Sequence, residues 1–246
     1  MPSFIIPALN EGDAIADTVN TVYENLKALG ISDYQIILIN DGSTDDSGAI
    51  VDDLAAKDEN ILAVHHSENE GLGASIREGV RLATKAQFLV VPGDNDISSE
   101  SLSLLLSCRD VAQLVLTVPM NKEARPHSRQ IISLVYQTLH NVFFYSSVGY
   151  INGPGVWPTE LVKKADLKSN RFSIISEMNV KLLTQGLTFA EVPIYFQAGE
   201  PVRATVTWRN LVEVVKIFMM LVVEINFKSS QKKRPRRVQI NFSANP

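Results

Sequence analysis

The sequence is poor in cysteine, in net charge and in long apolar runs. Its 246 residues include one cysteine, Cys108, which excludes an internal disulfide and suits a reducing compartment. The net charge of −4 gives no indication of nucleic-acid binding. The stretch 214–223 comes closest to a membrane span, but it is shorter than the roughly 20 residues required and contains Lys216. Because residues 1–6 also lack the basic start of a signal peptide, we expect a cytosolic location or one on the cytosolic face of a membrane.

Short apolar runs alternate with amphipathic segments over the first hundred residues. Apolar side chains at helical spacing run from Ile15 to Leu29, and Gly30 follows them as a helix terminator. The alternation predicts strands at 4–6, 34–39, 61–65 and 87–91, with further helices at 45–57 and 74–85. This order indicates an α/β fold with a mostly parallel sheet, in which ligands bind beyond the carboxyl ends of the strands.

The second half of the chain is less regular. Its pattern predicts strands at 111–118 and 192–196, a loop at 147–158, and helices at 128–145, 174–185 and 208–223. The tail 228–237 carries six basic residues in ten. The last helix and this tail have two interpretations: an interfacial helix with an anionic-lipid anchor, or a packing helix followed by a disordered basic tail.

Polar loops follow the first four predicted strands. The turn after the fourth strand is Gly-Asp-Asn-Asp, and its carboxylates Asp94 and Asp96 can hold a hard divalent cation. The same residues are ordinary turn formers, so this motif by itself is not specific. After the second strand, Asp41 can accept hydrogen bonds from a nucleobase or ribose, and Gly42 permits a tight turn.

The first and third loops add polar residues and glycines at the same edge of the sheet. The first loop is Pro7-Ala8-Leu9-Asn10-Glu11, in which Asn10 and Glu11 either contribute to a ligand site or cap the following helix. The third is Asn69-Glu70-Gly71-Leu72-Gly73, whose glycines let a backbone approach a ligand closely. Arg77, in the helix that follows, can reach a diphosphate or be a surface charge.

Four motifs occur in order at these strand ends: Pro-Ala-Leu-Asn-Glu, Asn-Asp-Gly-Ser-Thr-Asp, Asn-Glu-Gly-Leu-Gly-Ala and Gly-Asp-Asn-Asp. Together they resemble the family 2 glycosyltransferases of GT-A fold, especially the branch with dolichyl-phosphate mannose synthase and other polyprenyl-phosphate sugar transferases. The resemblance implies a GT-A domain over 1–207, with a donor half up to about 118 and an acceptor half from about 119. A C-terminal helix and basic tail would occupy 208–246.

In that family these loops hold a nucleotide-sugar donor, and the Asp-x-Asp turn binds Mg²⁺ or Mn²⁺ together with the donor diphosphate. The resemblance implies metal binding by Asp94 and Asp96 and a catalytic role for Asp96. It also implies that a flexible loop at 199–205 brings Arg203 over the diphosphate. The remaining candidates for binding a UDP-, GDP- or dTDP-sugar share the strand-end loops and the helix after the third: Pro7, Ala8, Asn10, Glu11, Asp41, Arg77, Asp94 and Asn95.

Other candidates lie on the acceptor side. The family usually has a basic residue before a long helix, and Arg125 and Arg129 match it. Asn152 lies in an acceptor-side loop that departs from the family's pattern. Glu177 matches a carboxylate that faces the acceptor, with a helix surface charge as the alternative. The acceptor would be a lipid phosphate, or a glycan hydroxyl whose proton Glu177 removes, and transfer would invert the sugar's stereochemistry.

Two other functions are compatible with parts of the sequence. A nucleotidyltransferase on a related fold usually has a Gly-rich, basic loop after its first strand, which the loop at 7–11 is not. A non-catalytic nucleotide-sugar binding protein would accommodate the departures at Asn152 and at Ser98, where the lipid-phosphate branch often has a glutamine ligand. The dinucleotide fingerprint of hydride-transfer enzymes is absent.

Overall fold

The described part of the chain forms one layered α/β structure. The structure is a computed structural model and describes residues 1–121, 127–144, 146–195, 208–228 and 233–240, without the side chains of 127–129, 208–209 and 228. The strands are β1 (Pro2–Ala8), β2 (Gln35–Asn40), β3 (Ile61–His65), β4 (Gln87–Val90), β5 (Leu114–Pro119), β6 (Gly155–Pro158), β7 (Thr188–Ile194) and β8 (Arg236–Arg237). The helices are α1 (Ala14–Ala28), α2 (Ser47–Lys57), α3 (Leu72–Leu82), α4 (Ser99–Ser107), α5 (His127–Phe144), α6 (Thr159–Lys163), α7 (Ile174–Leu183) and α8 (Trp208–Val223), which continues into a π-helical turn (Glu224–Lys228).

All the described strands belong to one sheet, ordered β3-β2-β1-β4-β6-β5-β7-β8. Only β6 is antiparallel to its neighbours, so the predicted mostly parallel sheet is confirmed. Ala8 pairs with Asn40, and Asn40 pairs with His65. The ends of β1, β2 and β3 are therefore level with one another, which brings the loops that follow them to a common edge.

Helices cover both faces of the sheet, which is why the central strands are apolar at successive positions. Side chains alternate between the faces along a strand. Phe4 and Ile6 belong to a core shared with α1, α2 and α4, whereas Ile5 belongs to a core shared with α3, α5, α7 and α8. Cys108 is buried in the same core as Phe4 and Ile6, and burial raises the pKa of its thiol.

The structure corrects the prediction for residues 147–158. Their last four residues form β6, which lies between β4 and β5, and the Trp157 ring stacks on Phe88 with 5.5 Å between ring centroids. Glycine and proline have low strand propensity, so the strand conformation of this segment depends on its pairing with two strands that are distant in the sequence. Three further elements were not predicted: α4, α6 and the short strand β8 in the basic tail. β7 also begins at Thr188, before the predicted strand at 192–196.

A buried amide joins β6 to α7. The indole N–H of Trp157 donates to Asn179 Oδ1 over 2.7 Å, and the Asn179 amide donates to the carbonyl of Ile151 over 2.7 Å. Both Trp157 and Asn179 have 0% exposure. Because no water can replace a lost partner there, this amide fixes the position of the loop before β6 relative to α7.

Replacing Asn179 with alanine should leave the Trp157 N–H and the Ile151 carbonyl without partners. We expect Asn179→Ala to lower the free energy of unfolding by about 1–3 kcal/mol, as measured by urea titration. Asn20→Ala, at an exposed position on α1, is the matched control and should change it by less than about 0.5 kcal/mol. Equal stabilities of the two variants would contradict the role of the buried amide.

Candidate active site

The acidic turn after β4 is held against β1 and α1. The backbone N–H of Val91 donates to the Ile5 carbonyl over 3.0 Å, and that of Gly93 donates to the Pro7 carbonyl over 3.1 Å. Asn95 has a positive φ of 54° and accepts a hydrogen bond from Thr21 Oγ1 over 3.3 Å. The side chain of Asn95 is thus turned towards α1, while the turn itself stays at the carboxyl edge of the sheet.

Asp94 and Asp96 fit a divalent cation by their chemistry and exposure. Asp94 is exposed and Asp96 half-buried, and the Asp96 N–H donates to Asp94 Oδ1 over 3.2 Å. Within the described residues no group of three or more His, Cys, Asp or Glu side chains is arranged to hold a metal. Ser98, at the position of the family's extra ligand, instead caps α4 by accepting from the Ser101 N–H over 3.2 Å. A cation here would complete its shell with water and donor phosphate, as Mg²⁺ usually does.

The loops after β1 and β2 interlock through short polar side chains. Asn10, at φ 55°, donates its N–H to Ser43 Oγ over 3.0 Å and accepts at Oδ1 from the Thr44 N–H over 2.8 Å. Ser47 Oγ accepts from the N–H groups of Glu11 and Gly12 at 3.1 and 2.9 Å. Ser47 is buried and was not predicted as a site residue, because its partners come from a loop 35 and 36 residues away in the chain.

Pro7 and Ala8 lie in the buried strand β1 and position the site through their backbone. The Pro7 carbonyl accepts from Gly93, and the Ala8 carbonyl accepts from the Asp41 N–H over 2.9 Å. A Cβ at Gly93 would lie 3.1 Å from both the Ala8 Cβ and the Pro7 oxygen. The predicted first-loop and metal-turn residues therefore are neighbours in the structure.

Asp41 is a buried carboxylate that shapes the third loop. It is 4% exposed and accepts from the N–H groups of Glu70 and Gly71, each over 2.9 Å. A third hydrogen bond joins its Oδ1 to His66 Nδ1 over 2.7 Å. Asp41 was predicted to contact the nucleotide directly. Its contacts in the structure are with the chain itself, and they bring the loop at 66–71 to the edge where the nucleotide was expected.

His66 was missed as a site residue. His66 directly follows β3, and the other candidates also lie at strand ends. This position in the sequence could have identified it as a site residue. Its Nδ1 contacts Asp41, and its Nε2 lies 3.1 Å from Glu78 Oε2. Burial alone would lower the pKa of His66, but the hydrogen bonds to Asp41 and Glu78 outweigh it and raise the pKa. Ionised carboxylates only accept, so this arrangement stabilises the imidazolium, with both ring nitrogens donating.

The glycines of the third loop accommodate another part of the chain, which corrects the prediction that they accommodate a ligand. A Cβ on Gly73 would lie 2.5 Å from the Asn170 carbonyl carbon and 2.6 Å from Arg171 N. Gly71, at φ 99°, would place a Cβ 2.5 Å from the Asn170 oxygen. The Gly73 N–H donates to that oxygen over 2.9 Å. Residues 169–171 therefore pack directly against the start of α3.

Arg77 also contacts this segment. Its guanidinium donates to the Ser169 carbonyl and to Asn170 Oδ1. Arg77 was predicted either to reach a diphosphate or to be a surface charge. In the structure it joins α3 to residues 169–170, beside the glycine contacts.

Glu177 lies inside the protein, which differs from both predicted locations, the acceptor side and the helix surface. It is 0% exposed and accepts from the N–H groups of Lys168 and Ser169 over 2.8–3.0 Å. Lys181 Nζ, which is also buried, lies 3.3 Å from Glu177 Oε1. The carboxylate thus anchors the segment that packs on Gly71 and Gly73. Its pattern in the sequence did not reveal this role because the partners are backbone amides.

The remaining candidates lie apart from these contacts or outside the described residues. Asn152 lies in the loop before β6 and is half-buried, and its buried Oδ1 has no hydrogen-bond partner in the described part of the chain. Arg125 and Arg203 lie outside the described residues. Arg129 is in the first turn of α5, and its side chain is not among those described.

Comparison with known families and curated proteins gives a consistent set of matches. The model of a family described as "Glycosyl transferase family 2" matches residues 3–141. The chain is 31% identical over 112 residues to the uncharacterized glycosyltransferase EpsJ of Bacillus subtilis, which covers 46% of this chain and 31% of EpsJ. It is 26% identical over 209 residues to the polyprenol monophosphomannose synthase of Mycolicibacterium smegmatis, covering 80% of this chain and 77% of that protein. The chain thus spans about a third of the length of EpsJ but most of the synthase.

Solved structures show a similar fold. The Staphylococcus aureus protein TarS (residues 1–349, in complex with UDP-GlcNAc) superposes with a TM-score of 0.61 at 17% identity, over 92% of this chain and 67% of that one. The mannosyltransferase PcManGT of Pyrobaculum calidifontis, in complex with GDP-Man and Mn²⁺, superposes with a TM-score of 0.60 at 14% identity, over 94% and 65%. The fold is the GT-A fold, as the strand-end motifs predicted.

The glycine contact gives a stability test. Gly73→Ala should lower the free energy of unfolding by about 1–3 kcal/mol, because its Cβ would overlap the backbone of residues 170–171, which Glu177 holds in place. In Gly48→Ala, the matched control in α2, the nearest atom would be the Asn40 side-chain amide at 3.1 Å, and alanine favours the helix. Urea unfolding of both variants measures the difference. A Gly73→Ala protein as stable as Gly48→Ala would refute the close packing.

The charge of His66 gives a pH test. Its folded-state pKa is raised above 6.5, so its stabilising contribution is complete below pH 6.5 and is lost as the pH rises through the folded-state pKa. The midpoint of thermal unfolding should therefore fall over this range in the native protein, and fall less in His66→Gln. His65→Gln, at the neighbouring exposed position, is the matched control for the loss of a histidine side chain.

The other buried histidine acts in a different pH range. Burial lowers the pKa of His140 to about 4, so its effect on stability is confined to acidic pH. Unfolding midpoints measured from about pH 6 upwards therefore exclude the contribution of His140. An identical pH dependence in the native protein and His66→Gln would show that His66 is not the titrating group.

Proposed function

The chain belongs to glycosyl transferase family 2, and we propose that it transfers a sugar from a nucleotide-sugar donor to an acceptor at the carboxyl edge of the sheet. The observation that carries the proposal is the position of the acidic turn. Gly93 contacts the Pro7 backbone, and the loop after β1 is tied to the loop after β2 through Asn10. The candidate metal ligands and the candidate nucleotide loops are thus joined by direct hydrogen bonds. The comparisons do not favour a nucleotidyltransferase or a non-catalytic binding protein.

We propose that the donor nucleotide occupies the edge between the loops that follow β1, β2 and β3. The interlocked loops at 7–12 and 41–47 offer a rigid surface, since Asn10 and Ser47 satisfy their backbone amides. Asp41 accepts hydrogen bonds from the backbone of the third loop, and His66 is hydrogen-bonded to Asp41. A preformed surface loses little conformational entropy when a ligand binds. Arg203 remains a candidate for the donor diphosphate outside the described residues.

Asp94 and Asp96 are the proposed ligands of Mg²⁺ or Mn²⁺, between the protein and the donor diphosphate. Bound there, the cation would supply Lewis-acid stabilisation of the charge that develops on the departing nucleoside diphosphate. The chain's own part is to hold the two carboxylates at the strand edge, which the Gly93–Pro7 and Thr21–Asn95 hydrogen bonds accomplish. Attack from the face opposite the diphosphate would invert the anomeric carbon.

We propose a lipid phosphate as the acceptor class in preference to a glycan hydroxyl. A hydroxyl acceptor needs a base to remove its proton, whereas a phosphate is already an anion. Glu177 was the residue predicted for that base, but it is 0% exposed and its oxygens are bonded to Lys168, Ser169 and Lys181. Its position suits a structural anchor. The likeness to a polyprenol monophosphomannose synthase over 80% of the chain supports the same acceptor class.

A peripheral contact of the C-terminal tail with a membrane is part of this proposal. The basic residues Lys233, Arg234, Arg236 and Arg237 are exposed in the described part of the tail. Among the described helices, none combines the length and the apolar composition that crossing a bilayer would need. We propose that these basic residues contact the membrane surface that carries the lipid acceptor.

Replacement of a metal ligand tests the proposed reaction. Asp96→Ala should reduce the rate of sugar transfer from UDP-, GDP- or dTDP-sugars by about a hundredfold or more, because a metal Lewis acid contributes several kcal/mol to transition-state stabilisation. Asp17→Ala, at an exposed position on α1, is the control and should retain native rates. Thermal unfolding should be equal in both variants. EDTA should abolish the native activity, and added Mn²⁺ should restore it.

Native transfer rates in Asp96→Ala would remove the catalytic role of this turn. Full activity of the native protein in EDTA would remove the metal. Sugar transfer is measured as release of the nucleoside diphosphate, which transfer to either acceptor class produces.

A further inference from the structure

Helices α5 and α8 contact each other, and each of them exposes large apolar side chains. The contact between them is aromatic: the Phe218 ring of α8 lies 5.1–5.7 Å from the rings of His140, Phe143 and Phe144 of α5. Thirteen large apolar side chains of the two helices and the π-helical turn are exposed by 40–80%. We call them the α5–α8 surface: Ile131, Ile132, Leu134, Val135, Leu139, Val142, Phe143, Leu211, Val212, Val215, Met219, Val223 and Phe227.

This exposure is concentrated in one place. The described part of the chain exposes other large apolar side chains singly, for example Leu62 on β3 and Val111 before β5, and such isolated positions are normal on protein surfaces. Contiguous apolar patches on soluble proteins mark sites of interaction. The α5–α8 surface therefore has the character of a docking surface.

Acidic side chains are few on these helices. Residues 131–144 of α5 contain no Asp, Glu, Lys or Arg. The Glu213 carboxylate of α8 accepts from the hydroxyls of Ser169 and Ser173, and Glu224 lies 3.5 Å from Lys181 Nζ. Both carboxylates are thus engaged with the body of the protein. Lys216, in contrast, is exposed in the middle of α8.

Basic side chains border the surface where α5 ends. Arg234 and Arg237 line an open cavity of about 460 Å³ together with Asn141 of α5 and the following Ser146 and Ser147. Arg237 also donates to the Ser147 carbonyl over 3.1 Å, which fixes the basic tail beside this helix end. The surface is therefore apolar in its middle and basic at its border, where Arg237 is paired with Glu191. Of its two described carboxylates, Glu213 is bonded to Ser169 and Ser173, and the half-exposed Glu224 lies beside Lys181.

We propose that the α5–α8 surface docks on an anionic lipid bilayer. Apolar side chains on such a surface enter the boundary between headgroups and acyl chains, while Lys and Arg contact anionic headgroups. The two helices lie along the membrane, and they carry the docking together with the tail. This inference rests on the proposed function in one respect, because a lipid-phosphate acceptor would be presented at the same membrane surface.

The surface is connected to the candidate active site by residues 169–173. Glu213 and Asn210 of α8 bond to Ser169, Ser173 and Arg171. The same segment packs on Gly73 and receives the hydrogen bonds of Arg77. One short segment thus separates the docking helices from the third loop, so docking orients the site relative to the membrane.

Vesicle binding with a paired set of variants tests the proposal. Native protein and the double variant Leu134→Glu, Val215→Glu are sedimented with phosphatidylcholine vesicles with and without phosphatidylglycerol. The native protein should partition to the anionic vesicles at least tenfold more strongly than the variant, and more strongly than to neutral vesicles. The control is Leu62→Glu, Val111→Glu, which adds the same charges at exposed apolar positions outside the surface and should bind as the native protein does. All four substituted positions are exposed, and thermal unfolding checks that the folds are equal.

Three outcomes would overturn the proposal. The native protein could fail to bind either vesicle type, or the Leu134→Glu, Val215→Glu variant could bind as tightly as the native protein. Light scattering could instead reveal a dimer that this variant abolishes without vesicle binding, which would assign the surface to a second copy of the chain. Vesicle binding needs no sugar donor, so its result is independent of the result of the sugar-transfer assay. Vesicle binding without any transfer would refute the proposed function and leave the docking surface in place.

Discussion

Buried carboxylates that accept hydrogen bonds from loop backbone amides are the interaction on which the site depends. The loops around residues 66–71 and 166–171 lie outside regular helices and strands, so their buried N–H groups need partners. Asp41 accepts from Glu70 and Gly71, and Glu177 accepts from Lys168 and Ser169. Hydrogen bonds to an ionised acceptor are stronger than neutral ones, and a basic side chain accompanies each carboxylate, His66 in one case and Lys181 in the other.

These two anchored segments contact each other at the start of α3. The contact is so close that side chains larger than that of glycine do not fit between them. Residues 169–171 contact Gly71 and Gly73 directly, so both positions must be glycine for the segments to pack this closely. The acidic turn differs from this arrangement. It is held through its backbone and through Asn95, while Asp94 stays exposed. The turn is thus held by hydrogen bonds while Asp94 stays accessible, which suits the proposed metal and donor site.

The proposed acceptor side has a different physical character from the proposed donor side. The contacts among the strand-end loops are short and polar, whereas α5 and α8 expose apolar side chains. The burial of Glu177 and the apolar helices favour the same kind of acceptor, one that carries its own negative charge and is attached to a lipid. Residues 169–173 contact both α8 and the start of α3, and they therefore connect these two parts of the molecule.

Much of this protein was determined by local sequence. The alternation of apolar runs predicted β1–β4 and the helices between them, because strands buried on both faces must be apolar and crossover helices amphipathic. The strand-end motifs predicted the GT-A fold through their resemblance to a known family. They also predicted the position of Asp94 and Asp96, since the carboxyl ends of parallel strands share one edge. The tertiary structure decided what depends on distant partners. It placed β6 between two strands, buried Glu177 beneath residues 168–169, and set Gly73 against residue 170. It also paired His66 with Asp41 and Glu78, and it left the apolar faces of α5 and α8 uncovered. Each of these outcomes depends on packing between residues far apart in the chain, which no local pattern encodes.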